Sequence, residues 1–224
     1  MIALRNKYDL APLAEALGMF TLIMLYIWRL RLEHPWLWLL MLGMMIGSHV
    51  ARGERAGWLG FGWRSFRAAL APVILWVFAI SGVLLLAGSA LGTIRRITAE
   101  QAAANIAGYI AWGLVQQYVL NGYFLNRTLE FTGNPRSRLV SLLPALLFSA
   151  AHAPNWFLMP VTLAGGFACT LVYRRHRSLY ALALAHGIVG FSLLLVVPDS
   201  ISAHFLVGPR YLLDRYGTYP ELLL

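Results

Sequence analysis

Apolar residues come in long unbroken runs, separated by short stretches that carry arginine. The runs do not alternate with period two, which argues against strands half-buried in a sheet. Seven stand out: Leu10–Trp28, Trp36–Val50, Ala68–Gly92, Ala102–Leu125, Leu139–Ala153, Trp156–Tyr173 and Ser178–Val197. A helix needs about 20 apolar residues to cross a bilayer. The second and fifth runs are short, and only Pro154 and Asn155 separate the fifth from the sixth, as in a tight hairpin or re-entrant segment. The pattern predicts an all-α, polytopic transmembrane helix bundle with about seven spans, in a range of roughly six to eight. The whole chain, 1–224, reads as a single membrane domain. Its last stretch, 198–224, is more polar, with Asp199, Arg210, Asp214 and Arg215, and is expected to form a surface tail.

Composition supports the bilayer as solvent. Of 224 residues 59% are hydrophobic and 12% charged, against about 25% charged in an average soluble domain. A single core of this size cannot hide so much apolar surface from water. A soluble enzyme, a disordered tail and a disulfide scaffold are thereby excluded. Cys169 is the only cysteine, so no internal disulfide can form, and inside an apolar run it reads as a small packing residue. The first run is too long for a signal-peptide core and ends in Trp28-Arg29 rather than in small residues.

The net charge of +9 would point to nucleic acid in a soluble protein. Here the 17 arginines and one lysine fall almost entirely between the apolar runs, as basic residues do in loops retained in the cytoplasm. Counted by alternate loops, one side carries twelve (Arg5, Lys7, Arg52, Arg55, Arg64, Arg67, Arg127, Arg136, Arg138, Arg174, Arg175, Arg177) and the other six (Arg29, Arg31, Arg95, Arg96, Arg210, Arg215). The bias predicts a cytoplasmic N-terminus in a multi-pass protein of the cell (inner) membrane. Trp28, Trp36, Trp58, Trp63 and Trp156 lie near run ends, and these tryptophans and the loop arginines read as interfacial anchors against membrane lipids.

Polar side chains at bilayer depth are expensive, so they mark function or helix–helix contact. Gln116, Gln117 and Asn121 lie in the fourth run, His152 in the fifth with Asn155 just beyond, and His186 in the seventh. At a rise of about 1.5 Å per residue, Gln117, His152 and His186 lie roughly 15, 21 and 12 Å from the arginine-rich edge. That layer permits one shared cavity. Glu15, the carboxylate of the first run, reads as a partly exposed residue about 7 Å deep. His49 and His176 lie at loop edges and read as surface residues.

The constellation resembles a known family. Phe148-Ser149-Ala150-Ala151-His152 fits the F-x-x-x-H motif of the CAAX-protease and bacteriocin-processing (CPBP) family of intramembrane proteases. That family includes the CAAX prenyl protease 2 and lysostaphin-resistance-protein-A-like members. Ala153-Pro154-Asn155 continues the motif. Tyr173-Arg174-Arg175, Ser178-Leu179-Tyr180 and Ala185-His186 resemble the family's late histidine region, with Gly165-Gly166 ahead of it. The resemblance covers about residues 100–197. Where the family carries E-E-x-x-x-R, this chain has Gln116-Gln117-Tyr118-Val119-Leu120-Asn121, and Gly190 replaces the asparagine four residues after the late histidine. The resemblance implies an intramembrane endopeptidase acting on a hydrophobic or membrane-anchored peptide, prenylated by family analogy. In the family a glutamate activates water, and the histidines hold it and stabilise the oxyanion. A carboxamide orients water but accepts no proton at cellular pH. The predicted catalytic set is therefore His152, His186, Gln116 and Gln117, supported by Asn121 and Asn155, with a histidine or Glu15 as a replacement base. The alternative is a catalytically altered pseudoprotease that binds lipidated peptides or serves as a membrane assembly or immunity factor.

Other chemistries fit less well. No metal or other cofactor is expected, because catalytic zinc wants three protein ligands, only His152 and His186 are well placed, and H-E-x-x-H is absent. A rhomboid-type serine protease would match Ala185-His186-Gly187-Ile188-Val189-Gly190 but needs an upstream G-x-S-G, which the chain lacks. A small transporter would show internal repeats or several intramembrane charges.

Overall fold

The computed structural model describes residues 10–134 and 137–217. Arg5, Lys7, Arg136 and residues 218–224 of the expected tail lie outside the described residues. Every regular element among the described residues is helical. In order these are α1 (Ala11–Leu25, continued by a π turn at Tyr26–Leu30), α2 (Leu37–Ala51), α3 (Trp63–Leu91), α4 (Ala99–Gln117), a π segment (Tyr118–Leu125) and α5 (Asn126–Thr132). A 3-10 turn (Arg138–Ser141) leads into α6 (Leu142–Ala150), then α7 (Leu158–His176), α8 (Leu179–Val196) and α9 (Asp199–Ser202). A 3-10 turn (Ala203–Phe205) and α10 (Pro209–Tyr216) complete the described chain.

The all-α expectation stands, but the span count needs correction. Among the described residues three helices are long and apolar enough to cross a membrane: Ala11–Leu30, Trp63–Leu91 and Leu179–Val196. Six to eight such helices do not form, for local reasons. The second run makes a helix of 15 residues, short of the roughly 20 that a crossing requires. The fourth run is diluted by Asn105, Gln116 and Gln117, and α4 opens before it with Glu100 and Gln101. The fifth is divided between a 3-10 turn and the nine-residue α6. The sixth forms α7, whose last turn is Arg174, Arg175 and His176.

The described structure divides into two compact units. The first comprises Met1–Glu54, Tyr123–Leu171 and Ala203–Leu224; the second comprises Arg55–Gly122 and Val172–Ser202. In the second unit α8 packs on both α3 and α4. Ala69, Val73 and Val77 of α3 are buried with Ala181 of α8. The other face of α3 presents Leu75, Trp76, Phe78, Val83 and Leu86 outward, as a lipid-facing stripe does. A capping box between Thr98 and Gln101 starts α4, satisfying two backbone donors that would otherwise be orphaned. The α4–α8 contact is close because α8 has glycine where α4 crosses it. A Cβ on Gly187 would lie 2.9 Å from the backbone of Ile110, and one on Gly190 would lie 3.0 Å from the Tyr109 ring. Tyr109 thus occupies the space that a side chain at position 190 would need.

In the first unit, Glu15 of α1, Arg52 and Glu54 just after α2, and Arg127 and Glu130 of α5 supply an ion cluster, while α6 and α7 form an apolar hairpin. Ser149 Oγ donates to the carbonyl of Met159 at 2.7 Å, and Gly166 lies against Phe148 and Ala145. Asn155 caps α7: its Oδ1 accepts from the backbone N–H groups of Phe157 and Leu158 at 3.1 and 3.0 Å. Its Nδ2 donates to the carbonyl of Leu206 at 3.0 Å. Ala203, Pro209 and Tyr211 are buried in the same unit.

Candidate functional site

The polar residues of the fourth and seventh runs meet within the second unit. Gln117 ends α4, and Asn121 follows four residues later in the π segment; both are fully buried. Asn121 Nδ2 donates to Gln117 Oε1 at 2.7 Å. Gln117 Nε2 lies 3.5 Å from His186 Nδ1. Because Gln117 Oε1 receives the Asn121 amide, its own amide N–H points to the imidazole, and His186 Nδ1 accepts. The proton of a neutral His186 then resides on Nε2. The reverse orientation of both amides would bury the Asn121 NH2 group without a partner. In the orientation present, only Asn121 Oδ1 lacks one. Gly113 lets this pair approach: a Cβ there would lie 3.0 Å from His186 Cδ2 and 3.2 Å from the carbonyl of Ala183. Gln116 is partly exposed on the same helix.

His152 belongs to the first unit, in the turn after α6. Its Nδ1 donates to the carbonyl of Phe148 at 2.7 Å, and its ring stands edge-on to the Phe148 ring at 4.8 Å. That bond fixes the proton on Nδ1 and leaves the lone pair on Nε2. Asn155, also in the first unit, has the capping role described above. The structure thus joins Gln117, Asn121 and His186 in one unit and puts His152 and Asn155 in the other. Among the described residues no group of three His, Cys, Asp or Glu side chains is arranged to hold a metal ion.

A second polar centre, absent from the sequence expectations, lies in the first unit. Arg127 has no exposed side-chain surface. Its Nε donates to Glu15 Oε1 at 3.0 Å, and its terminal nitrogens reach Glu54 at 3.1 Å and Glu130 at 3.5 Å. Arg127 also donates to Ser48 Oγ at 3.1 Å, and its guanidinium lies over the Tyr123 ring at 5.4 Å. Arg52 pairs with Glu15 and reaches Glu130 at 3.4 Å. His49 is buried and its Nδ1 is bonded to Glu54. Burial alone would raise the Glu54 carboxyl pKa. The hydrogen bonds and positive charge of His49 and Arg127 outweigh burial and bring it to about 2.

These positions correct two readings. Arg127 is a buried hub rather than an interfacial anchor, and His49 is a core residue rather than a surface one. Glu15 is partly exposed as expected, with 24% of its side chain accessible, but it is engaged by Ser48, Arg52, Tyr123 and Arg127. These four donors commit the Glu15 carboxylate to the ion cluster. The available signal was a carboxylate inside an apolar run, which demands a counter-charge.

Comparison with known proteins adds one finding. Residues 98–192 match the family model described as type II CAAX prenyl endopeptidase, Rce1-like. The matched segment contains Gln116, Gln117, Asn121, His152, Asn155 and His186. No curated protein and no solved structure matches the chain.

Proposed function

The Rce1-like match over residues 98–192 supports assigning this chain to the CAAX-protease family, and from that premise we propose that it is an intramembrane endopeptidase with a histidine in place of the family's glutamate base. Its substrate is a hydrophobic or membrane-anchored peptide, prenylated by analogy with the family. The observation that carries this reading is the bond from His152 Nδ1 to the Phe148 carbonyl. It orients Nε2 as a proton acceptor, the role a general base requires. His152 takes a proton from the attacking water, and the resulting hydroxide adds to the peptide carbonyl carbon. Collapse breaks the C–N bond, and the proton on His152 passes to the leaving amine.

A second reading is favoured by a different observation. Gln117 is engaged by Asn121 and His186 and offers no carboxylate. A chain that kept the fold and lost hydrolysis would bind the lipidated peptide without cutting it. The two readings separate in a cleavage assay with prenylated and unprenylated membrane peptides. The protease reading expects wild-type cleavage that falls by roughly 10²- to 10⁴-fold in His152→Ala, the usual contribution of a general base. No wild-type cleavage, with activity gained in the Gln116→Glu/Gln117→Glu variant, would establish the binding reading instead.

A further inference from the structure

The ion cluster of the first unit borders an open groove of about 760 Å³, whose residues Ala14, Gly18, Leu22 and Met44 are exposed. Ala14, Gly18, Met19, Leu22 and Met44 give it apolar walls, and Glu15, Ser48 and Arg52 form its polar end. Gly18 keeps it open, since a Cβ there would meet nothing within 4 Å. The polar end retains hydrogen-bonding capacity. Among the described residues Arg52 donates only to Glu15 and Glu130, while a guanidinium has five N–H donors. Glu15 Oε1 is saturated by Ser48, Tyr123 and Arg127, whereas Oε2 accepts from Arg52 alone.

An acceptor and several donors therefore face the same apolar space, side by side and already paired as ions. A carboxylate or phosphate entering there would be attracted by Arg52 and repelled by Glu15, and an ammonium the reverse, so neither gains a net ion pair to offset its own desolvation. A hydroxyl meets neither penalty, because it can donate to Glu15 Oε2 and accept from Arg52 at once. We propose that this groove binds a single-chain amphiphile with an uncharged hydroxyl head, its chain along Gly18, Met19, Leu22 and Met44. Glu15 and Arg52 lie outside the family-matched segment, and Tyr123, which also lines the groove, lies within it.

Native mass spectrometry of the full chain, released from detergent, tests this with three probes of one chain length: oleyl alcohol, oleate and oleylamine. The expected result is retention of oleyl alcohol at least about tenfold tighter than either charged probe, the equivalent of roughly 1.4 kcal/mol. Retention is expected to fall by at least about tenfold in Gly18→Leu, which sets a branched side chain in the path of the bound chain, and to persist in Gly18→Ala. Met44→Trp, which narrows the opposite wall, provides a second blocking variant if Gly18→Leu does not fold. Equal or tighter binding of oleate or oleylamine would overturn the proposal. So would oleyl alcohol binding that is unchanged in a folded blocking variant.

Discussion

Arg127 shows how a buried cation constrains the residues around it. With no exposed surface, its charge is compensated by Glu15, Glu54 and Glu130. A buried ion pair is often no better than a well-packed apolar replacement, but losing one partner leaves a charge stranded. Glu54 is the partner whose protonation can be followed, because it lies in the loop after α2. Its pKa is about 2 in the fold against an ordinary value of 4.5. The carboxylate therefore contributes its full stabilisation above about pH 4.5 and loses it as the pH falls toward 2. We expect the thermal midpoint of the protein in detergent to drop across that window. Glu54→Gln is expected to lower the midpoint at neutral pH and to flatten its acid dependence. An acid limb of undiminished depth in Glu54→Gln would show that Glu54 does not carry it.

At the scale of elements, the α4–α8 contact depends on particular glycines. Gly187 lies against the backbone of Ile110, which cannot rotate aside as a side chain can. Gly187→Ala is expected to cost about 1–3 kcal/mol through overpacking. Gly82 in α3 is the matched control, because a Cβ there meets nothing within 4 Å. Gly82→Ala is expected to be neutral or stabilising by up to about 1 kcal/mol, the difference in helix propensity. Denaturant unfolding in detergent measures both, and a Gly187→Ala protein as stable as Gly82→Ala would refute the close-approach argument. Hydropathy could not reveal this distinction, because both glycines sit in apolar runs. The π segment at Tyr118–Leu125 was equally hidden, since an extra residue per turn is a choice between hydrogen-bond ladders of similar energy. What the sequence did make legible was the spacing of Gln117 and Asn121. Four residues on a helix bring two side chains together, and they meet at 2.7 Å.

At the scale of the molecule, apolar runs were readable as helices, but their number overstated the spans. Hydropathy averages over a window, whereas a crossing requires one unbroken helix of sufficient length. The fifth run shows the difference: a 3-10 turn and the nine-residue α6 take up its length. The ion cluster escaped for another reason. Loop counting assigns each arginine a side of the membrane but no partner, so Arg127 and Arg52 were placed at loops without their carboxylates.

The cluster nevertheless gives that loop counting a physical consequence that can be measured. Glu15 lies near the start of α1, Ser48 and Arg52 at the end of α2, and Arg127 and Glu130 in α5. Their hydrogen bonds and ion pairs hold these three points at one level of the first unit. From Glu15 to Leu30 the helix advances by roughly 22 Å at 1.5 Å per residue. The far end of Ala11–Leu30 thereby lies roughly 22 Å from the cluster, a depth that the 15-residue α2 also covers on its return to Arg52, against a hydrocarbon core of about 30 Å. Leu10 and Asn134, both exposed, are then expected on one face of the membrane and Glu33, also exposed, on the other. A Cys169→Ser background removes the single native thiol and allows single cysteines at these positions to be probed with an impermeant maleimide. In sealed vesicles of one orientation, Leu10→Cys and Asn134→Cys are expected to label together and Glu33→Cys only after permeabilisation, or the reverse in inverted vesicles. Labelling of Leu10→Cys and Glu33→Cys from the same side would mean that α1 does not cross the bilayer, and the cluster would then lie at the surface rather than at the end of a span.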